Sequence, residues 1–162
     1  MSVRIQISIG KQTLTLSNDS GRVLRTYAVS TATKGAGELN GSLCTPRGRH
    51  LVRARIGAGQ PENTVFIGRR PSGEVYSREL AERFPGRDWI LTRILWLSGC
   101  EPGRNRLGPV DTMRRYVYIH GSPDTAPMGR PGSIGCIRMH NADIIDLFDQ
   151  VPPYTVVDIS ED

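Results

Sequence analysis

The residues best suited to chemistry lie in HGSPDTAPMGRPGSIGCIRM, from His120 to Met139, where one histidine and one cysteine flank a glycine-rich loop. A neutral imidazole can accept the thiol proton and leave a thiolate, the form of cysteine that attacks carbonyl carbon. Gly135, directly before Cys136, lets backbone N–H groups approach a developing oxyanion, and Arg138 offers a planar fork to a carboxylate. The loop reads as a cysteine acyl-transfer site, with Cys136 as nucleophile and His120 as the base that later returns the proton to a leaving amine. The N–H groups of Gly135 and Cys136 are the expected oxyanion donors, and a thiol activated in this way is expected to carry a lowered pKa. Two assignments stay open at this level. Ser133 either bonds substrate or braces the loop, and Arg138 either binds a carboxylate or forms an ion pair with Asp143. A bland reading also stands beside the catalytic one, since a buried cysteine commonly behaves as a small inert hydrophobe.

The string around this pair resembles the L,D-transpeptidase (YkuD-type) catalytic domain. That family's signature is met by His120, Gly121 and Ser122, and, after a gap, by Ser133, Ile134, Gly135 and Cys136, followed by Ile137, Arg138 and Met139. The turn Thr45-Pro46-Arg47-Gly48, the segment RRYVYIHG from Arg114 to Gly121, and the tail ADIIDLFDQVPPYTVVDI are similar to the family as well. The resemblance covers nearly the whole chain, so residues 1–162 read as one such domain. One residue departs from the pattern: Ile134 stands where the commonest form of the motif has a second histidine, and it can neither donate a hydrogen bond nor carry charge.

The resemblance implies that a backbone carbonyl just after the histidine, at Gly121 or Ser122, orients His120. It further implies a reaction on peptidoglycan stem peptides. The thiolate would attack the carbonyl at the L centre of the third stem residue and expel the terminal D-alanine. An amine of another stem would then resolve the thioester into a third-to-third crosslink. Hydrolysis of the same thioester would make an L,D-carboxypeptidase, and a wall-binding module with an inactive site is the reading from a different class. The implied chemistry needs no metal and no organic cofactor, and the family's cysteine is a target of carbapenems.

Composition limits the alternatives. With 162 residues and 38% hydrophobic content, the chain is long enough for one domain with a sizeable core. Its 18 glycines and 11 prolines are spread along the sequence, which favours short strands and turns over a helical bundle. The net charge of +5 is almost wholly arginine, because Lys11 and Lys34 are the only lysines. No basic run interleaves with aromatics, so nucleic acid is not an expected partner. Cys44, Cys100 and Cys136 cannot all pair within one chain and form no CxxC knuckle, which leaves Cys44 and Cys100 as structural or incidental thiols and no metal site. Nothing in the sequence fixes the oligomeric state, and a monomer is assumed.

The elements that must position the pair are legible in part. Val3, Ile5, Ile7 and Ile9 alternate with polar residues, a strand pattern and not the apolar run of a secretory leader. No stretch is long enough to span a membrane. A peptidoglycan substrate implies the periplasm or cell envelope, whereas the missing leader allows a cytoplasmic place of action. TLTL and RVLRTYAVST follow as a meander, then a glycine-rich loop over 33–48 and the strand HLVRARIG. Between 57 and 88 the signals are mixed, apart from a short helix at SRELAERF capped by Ser77 and stopped by Pro85. WILTRILWLSG reads as a buried strand, with Trp89 and Trp96 as core or strand-edge residues. YVYIH delivers His120. After Cys136, Asn141 is expected to cap a helix that turns Ile144, Ile145, Leu147 and Phe148 inward, and YTVVDI closes the fold. His50 and His140 are expected at the surface or in loops. The fold class is mainly β, a single β-rich sandwich or barrel-like domain with about two short helices.

Overall fold

Alternating apolar and polar residues build three strands, β1 (Val3–Ser8), β2 (Thr13–Asn18) and β3 (Val23–Ala28), which pair antiparallel as a meander. They open a computed structural model that describes residues 2–162. The last strand, β10 (Val156–Ser160), runs parallel to β1 and antiparallel to β4 (Gly48–Ile56), so the end of the chain joins the meander to the centre of the sheet. Next to β4 lies β7 (Leu91–Gly99), and β7 in turn pairs antiparallel with β8 (Tyr118–Ser122). A short strand, β9 (Ile137–His140), runs parallel to β8. The result is a mainly β fold, a curled mixed sheet forming a half-barrel with two helices, α1 (Arg78–Arg83) and α2 (Asn141–Gln150).

The region of mixed signals holds a hairpin, β5 (Thr64–Ile67) and β6 (Arg70–Val75), which docks on β7 through Val65 and Leu91. Its two turn residues, Gly68 and Arg69, have φ of +57° and +65°, as a tight two-residue hairpin requires. Arginine is not a turn-favouring residue at positive φ, so the sequence gives little warning of this turn. α1 begins where expected, with the Ser77 hydroxyl accepting from the Leu80 N–H at 3.0 Å.

α2 lies across β7, β8 and β9 and buries Ile144, Leu147 and Phe148 against Leu95, Ile119, Ile137 and Met139. Ile145 is only half-buried. The expected Asn141 cap is not formed: His140 occupies the cap position, and the Asn141 side chain turns toward β7 instead. His50 also departs from expectation. It points into the interior from β4 and is fully buried, because its ring nitrogens find partners there, Gly48 O at 3.0 Å and Thr112 Oγ1 at 3.0 Å. Among the described residues no helix is long and apolar enough to cross a membrane.

Candidate active site

The parallel pairing of β8 with β9 brings the histidine and the cysteine together. Ile119 pairs with Ile137 and His120 with Arg138, so Cys136 falls opposite Tyr118. Strand alternation then sends Ile119, Ile137 and Met139 toward α2 and puts Tyr118, His120, Cys136 and Arg138 on the other face. Cys136 is half-buried. Its Sγ receives the Tyr118 N–H at 3.4 Å and lies 3.5 Å from the Tyr116 carbonyl oxygen, to which the thiol donates.

His120 is fully buried. Its Nδ1 lies 2.6 Å from Gly121 O, and its Nε2 has no hydrogen-bond partner among the described residues. Of the two backbone positions expected to orient the ring, Gly121 makes the contact and Ser122 does not. The Ser122 hydroxyl is buried and likewise unpartnered. In this state the thiol is bonded to Tyr116 and not to the imidazole.

The loop before Cys136 is held by hydroxyls. Ser133 Oγ donates to Cys136 O at 2.6 Å and accepts the Gly135 N–H at 3.2 Å, so Ser133 braces the loop. The Gly135 N–H is thereby engaged, and it does not stand free as an oxyanion donor as the sequence suggested. The Cys136 N–H has no acceptor among the described residues. Thr45 in the TPRG turn, fully buried, donates to Gly135 O at 2.9 Å and accepts the Ala32 N–H at 3.0 Å. The motif match singled out that turn, but its tie to the cysteine loop spans 90 residues of chain and has no local sequence signal. Ile134 points outward, 57% exposed.

Arg138 does not pair with Asp143. Its guanidinium reaches Asp88 Oδ1 at 2.8 Å and Gly132 O at 2.9 Å, because the site face of β9 looks toward the segment before β7 while Asp143 sits on α2. A cavity of about 260 Å³ opens beside this ion pair, walled by Tyr76, Trp89, Ser122 and Pro123. Trp89, at the edge of β7, lines this cavity and packs edge-on against Tyr76. Behind His120, on the α2 side, Thr92 Oγ1 donates to Asn141 Oδ1 at 2.6 Å, Asn141 Nδ2 donates to Asn63 Oδ1 at 2.7 Å, and the Asn63 N–H donates to Thr92 Oγ1 at 3.0 Å. This closed ring of bonds was invisible in sequence, since its three members come from three separate segments.

Electrostatics keep both groups neutral at rest. Burial pushes the Cys136 thiol up to about 12, against the Tyr118 N–H and the Arg138 and Arg115 charges, which favour thiolate. Burial also lowers the pKa of His120, with the Gly121 hydrogen bond acting in the opposite sense. Burial thus acts on the thiol in the sense opposite to the lowering that the sequence reading expected, and favours thiol and imidazole as the resting pair. Among the described residues no three His, Cys, Asp or Glu side chains converge as a metal-binding group.

A sequence profile of the L,D-transpeptidase catalytic domain, YkuD, matches residues 2–159. The chain belongs to that family. The YkuD protein of Bacillus subtilis is 30% identical over 156 residues, covering 96% of this chain and 65% of that protein, so this family member spans just under two thirds of its relative. Among solved structures, an L,D-transpeptidase from Mycobacterium smegmatis shares the fold with a TM-score of 0.62 at 19% identity, over 98% of this chain and 58% of its own. L,D-transpeptidase LdtMt1 in complex with imipenem aligns with a TM-score of 0.58 at 20% identity, over 98% of this chain and 59% of its own. At these identities the structural likeness speaks for the L,D-transpeptidase fold alone.

Proposed function

We propose that this domain is a cysteine acyltransferase acting on peptidoglycan stem peptides, an L,D-transpeptidase in activity as well as in family. The observation that carries the reading is the state of His120: Nδ1 is tied to Gly121 O, so its proton is fixed there, and Nε2 presents an unpaired lone pair on the face that bears the Cys136 thiol.

With donor peptide in place, the thiol proton passes to His120 Nε2 and Sγ attacks the carbonyl at the L centre of the third stem residue. The oxyanion that forms takes the free Cys136 N–H. Collapse breaks the C–N bond, and the imidazolium returns its proton to the departing D-alanine amine. The thioester is then opened by an amine of a second stem, whose proton goes to the same imidazole and finally to the thiolate as it leaves. The neutral resting pair suits this sequence, because charge appears only once substrate has displaced water from the site. Two side chains balance every proton and bond, so the reaction calls on no cofactor. Its substrate class puts the place of action at the cell envelope.

The test is incubation of the protein with disaccharide tetrapeptide, followed by mass spectrometry. The expected product is a crosslinked dimer that has lost one D-alanine, with none formed by Cys136→Ala. Imipenem, seen bound to LdtMt1, is expected to add its mass at Cys136. Tripeptide as the sole product would reassign the protein as an L,D-carboxypeptidase. Neither product nor adduct, from folded protein with a reduced thiol, would overturn the enzyme reading in favour of a wall-binding module.

A further inference from the structure

Two residues with positive φ lie against each other: Arg69 at +65°, on the tip of the β5–β6 hairpin, and Tyr116 at +57°, just before β8. The Arg69 guanidinium carbon is 4.6 Å from the centre of the Tyr116 ring and 4.9 Å from that of Trp96. One Arg69 amino group donates to the Tyr118 hydroxyl at 3.1 Å. Tyr116 and Tyr118 are also the two residues that hold Cys136 Sγ, through a carbonyl and an N–H. Hence the cation is fixed relative to the nucleophile by the same two tyrosines.

Arg69 has no carboxylate partner among the described residues, whereas Arg138 on the other flank of the thiol is neutralised by Asp88 and tied to Gly132 O. A guanidinium stacked on aromatic rings keeps its edge donors available, and that edge matches a carboxylate in shape and charge. The stack is also open to solvent, with Tyr116 53% exposed.

We propose that Arg69, laid over Trp96 and Tyr116, is the carboxylate subsite of this centre and holds a carboxylate of the donor stem peptide beside Cys136 Sγ. The inference rests on the stem-peptide reading above. It moves the role that the sequence offered to Arg138 onto a residue in the segment where the sequence was least readable. A tetrapeptide donor carries two carboxylates near the scissile bond: the C-terminal one on the leaving D-alanine, and the side-chain one of the third residue where that residue is a diamino diacid.

The first experiment needs no turnover. Cys136 is alkylated with iodoacetate and with iodoacetamide at one pH, and the ratio of the two rates is compared between wild type and Arg69→Gln. The ratio is expected to fall by about twofold or more in Arg69→Gln, because the cation that favours the anionic reagent at this site is removed. Arg69→Lys, which keeps the charge without the fork, should retain most of it. The second experiment uses three tetrapeptide donors: unmodified, C-terminally amidated, and amidated on the third residue's side chain. Arg69→Gln is expected to lower kcat/KM for the unmodified donor by about tenfold. For the donor whose amidation has already removed the partner of Arg69, it should cause no further loss, and this identifies which carboxylate is bound. An unchanged alkylation ratio in Arg69→Gln overturns the subsite, as do equal losses on all three donors. Failure of every donor to react, with the ratio still dropping, would refute the reaction assigned above and leave an anion subsite at the thiol.

Discussion

His120 Nδ1 stands 2.6 Å from the carbonyl oxygen of Gly121, its own neighbour in β8. A carbonyl can only accept, so this contact fixes the proton on Nδ1 and leaves the lone pair on Nε2. The acceptor is itself immobilised. A Cβ at Gly121 would lie 2.5 Å from Asn141 Oδ1 and 2.6 Å from Leu91 O, so the strand is pressed against β7 and against the Thr92–Asn141–Asn63 ring of bonds. The sheet, and not a third side chain, orients the histidine.

Gly121→Ala should therefore be damaging out of proportion to one methyl group. The Leu91 carbonyl is backbone and cannot step aside, so β8 must shift and carry the acceptor of His120 with it. Overpacking of this kind costs about 1–3 kcal/mol of stability. The expected outcome is a thermally destabilised protein whose rate of imipenem adduct formation falls by more than the fraction unfolded explains. An adduct rate matching wild type in the folded fraction would show that the ring is not positioned through Gly121.

The neutral resting pair has its own signature. With burial holding the Cys136 thiol near 12, alkylation by iodoacetamide should rise about tenfold per pH unit across neutral and mildly alkaline pH, with no plateau. His120→Ala should slow it further by removing the base. A plateau already reached below pH 7 would mean that the thiolate is formed before substrate arrives.

His50 predicts a loss of stability in acid. It is buried as a neutral imidazole with its pKa lowered from 6.5 to about 4, chiefly by burial. Because the unfolded chain takes up the proton first, this contribution is complete above pH 6.5 and is lost as pH falls toward 4. The difference between these two values corresponds to about 3 kcal/mol. Urea unfolding of wild type and His50→Gln should show the gap between them narrowing by about that amount from pH 7 to pH 4. Glu38, Glu74 and Glu101, whose pKa values are lowered mainly by their hydrogen bonds to arginines, lose their contributions below pH 4.5, beneath most of this window. A constant gap would show that His50 does not titrate in folding.

The strands that alternate were legible in the chain: β1, β2, β3 and β10 stand where periodicity puts them, the apolar run of β7 reads as a buried strand, and Ser77 caps α1. The motif also singled out Cys136 and His120, which the parallel β8–β9 pairing brings onto one face. Three kinds of feature escaped. The β5–β6 hairpin was hidden because its turn uses Arg69 at positive φ, a residue with no preference for that role. The β9 strand carries no sequence signal, since four residues are too few to show a period. The partners of Arg138, Asn141 and Thr45 were missed because each lies across the sheet in a segment distant in sequence, where only the folded register decides contact.

Ile134 supplies the last prediction. In the commonest form of the motif a histidine stands here, and its loss would matter if the position took part in proton transfer. The side chain is 57% exposed on the outer side of a loop whose shape is set by other bonds, Ser133 Oγ to Cys136 O and Thr45 Oγ1 to Gly135 O. The proton path proposed above, from Sγ to His120 Nε2, lies on the β8–β9 face and does not pass through it. Ile134→His should accordingly change the rate of D-alanine release by no more than about tenfold, some 1.4 kcal/mol of barrier. Several hundredfold acceleration would show that the isoleucine cripples the site, and would make a binding role the better account of this chain.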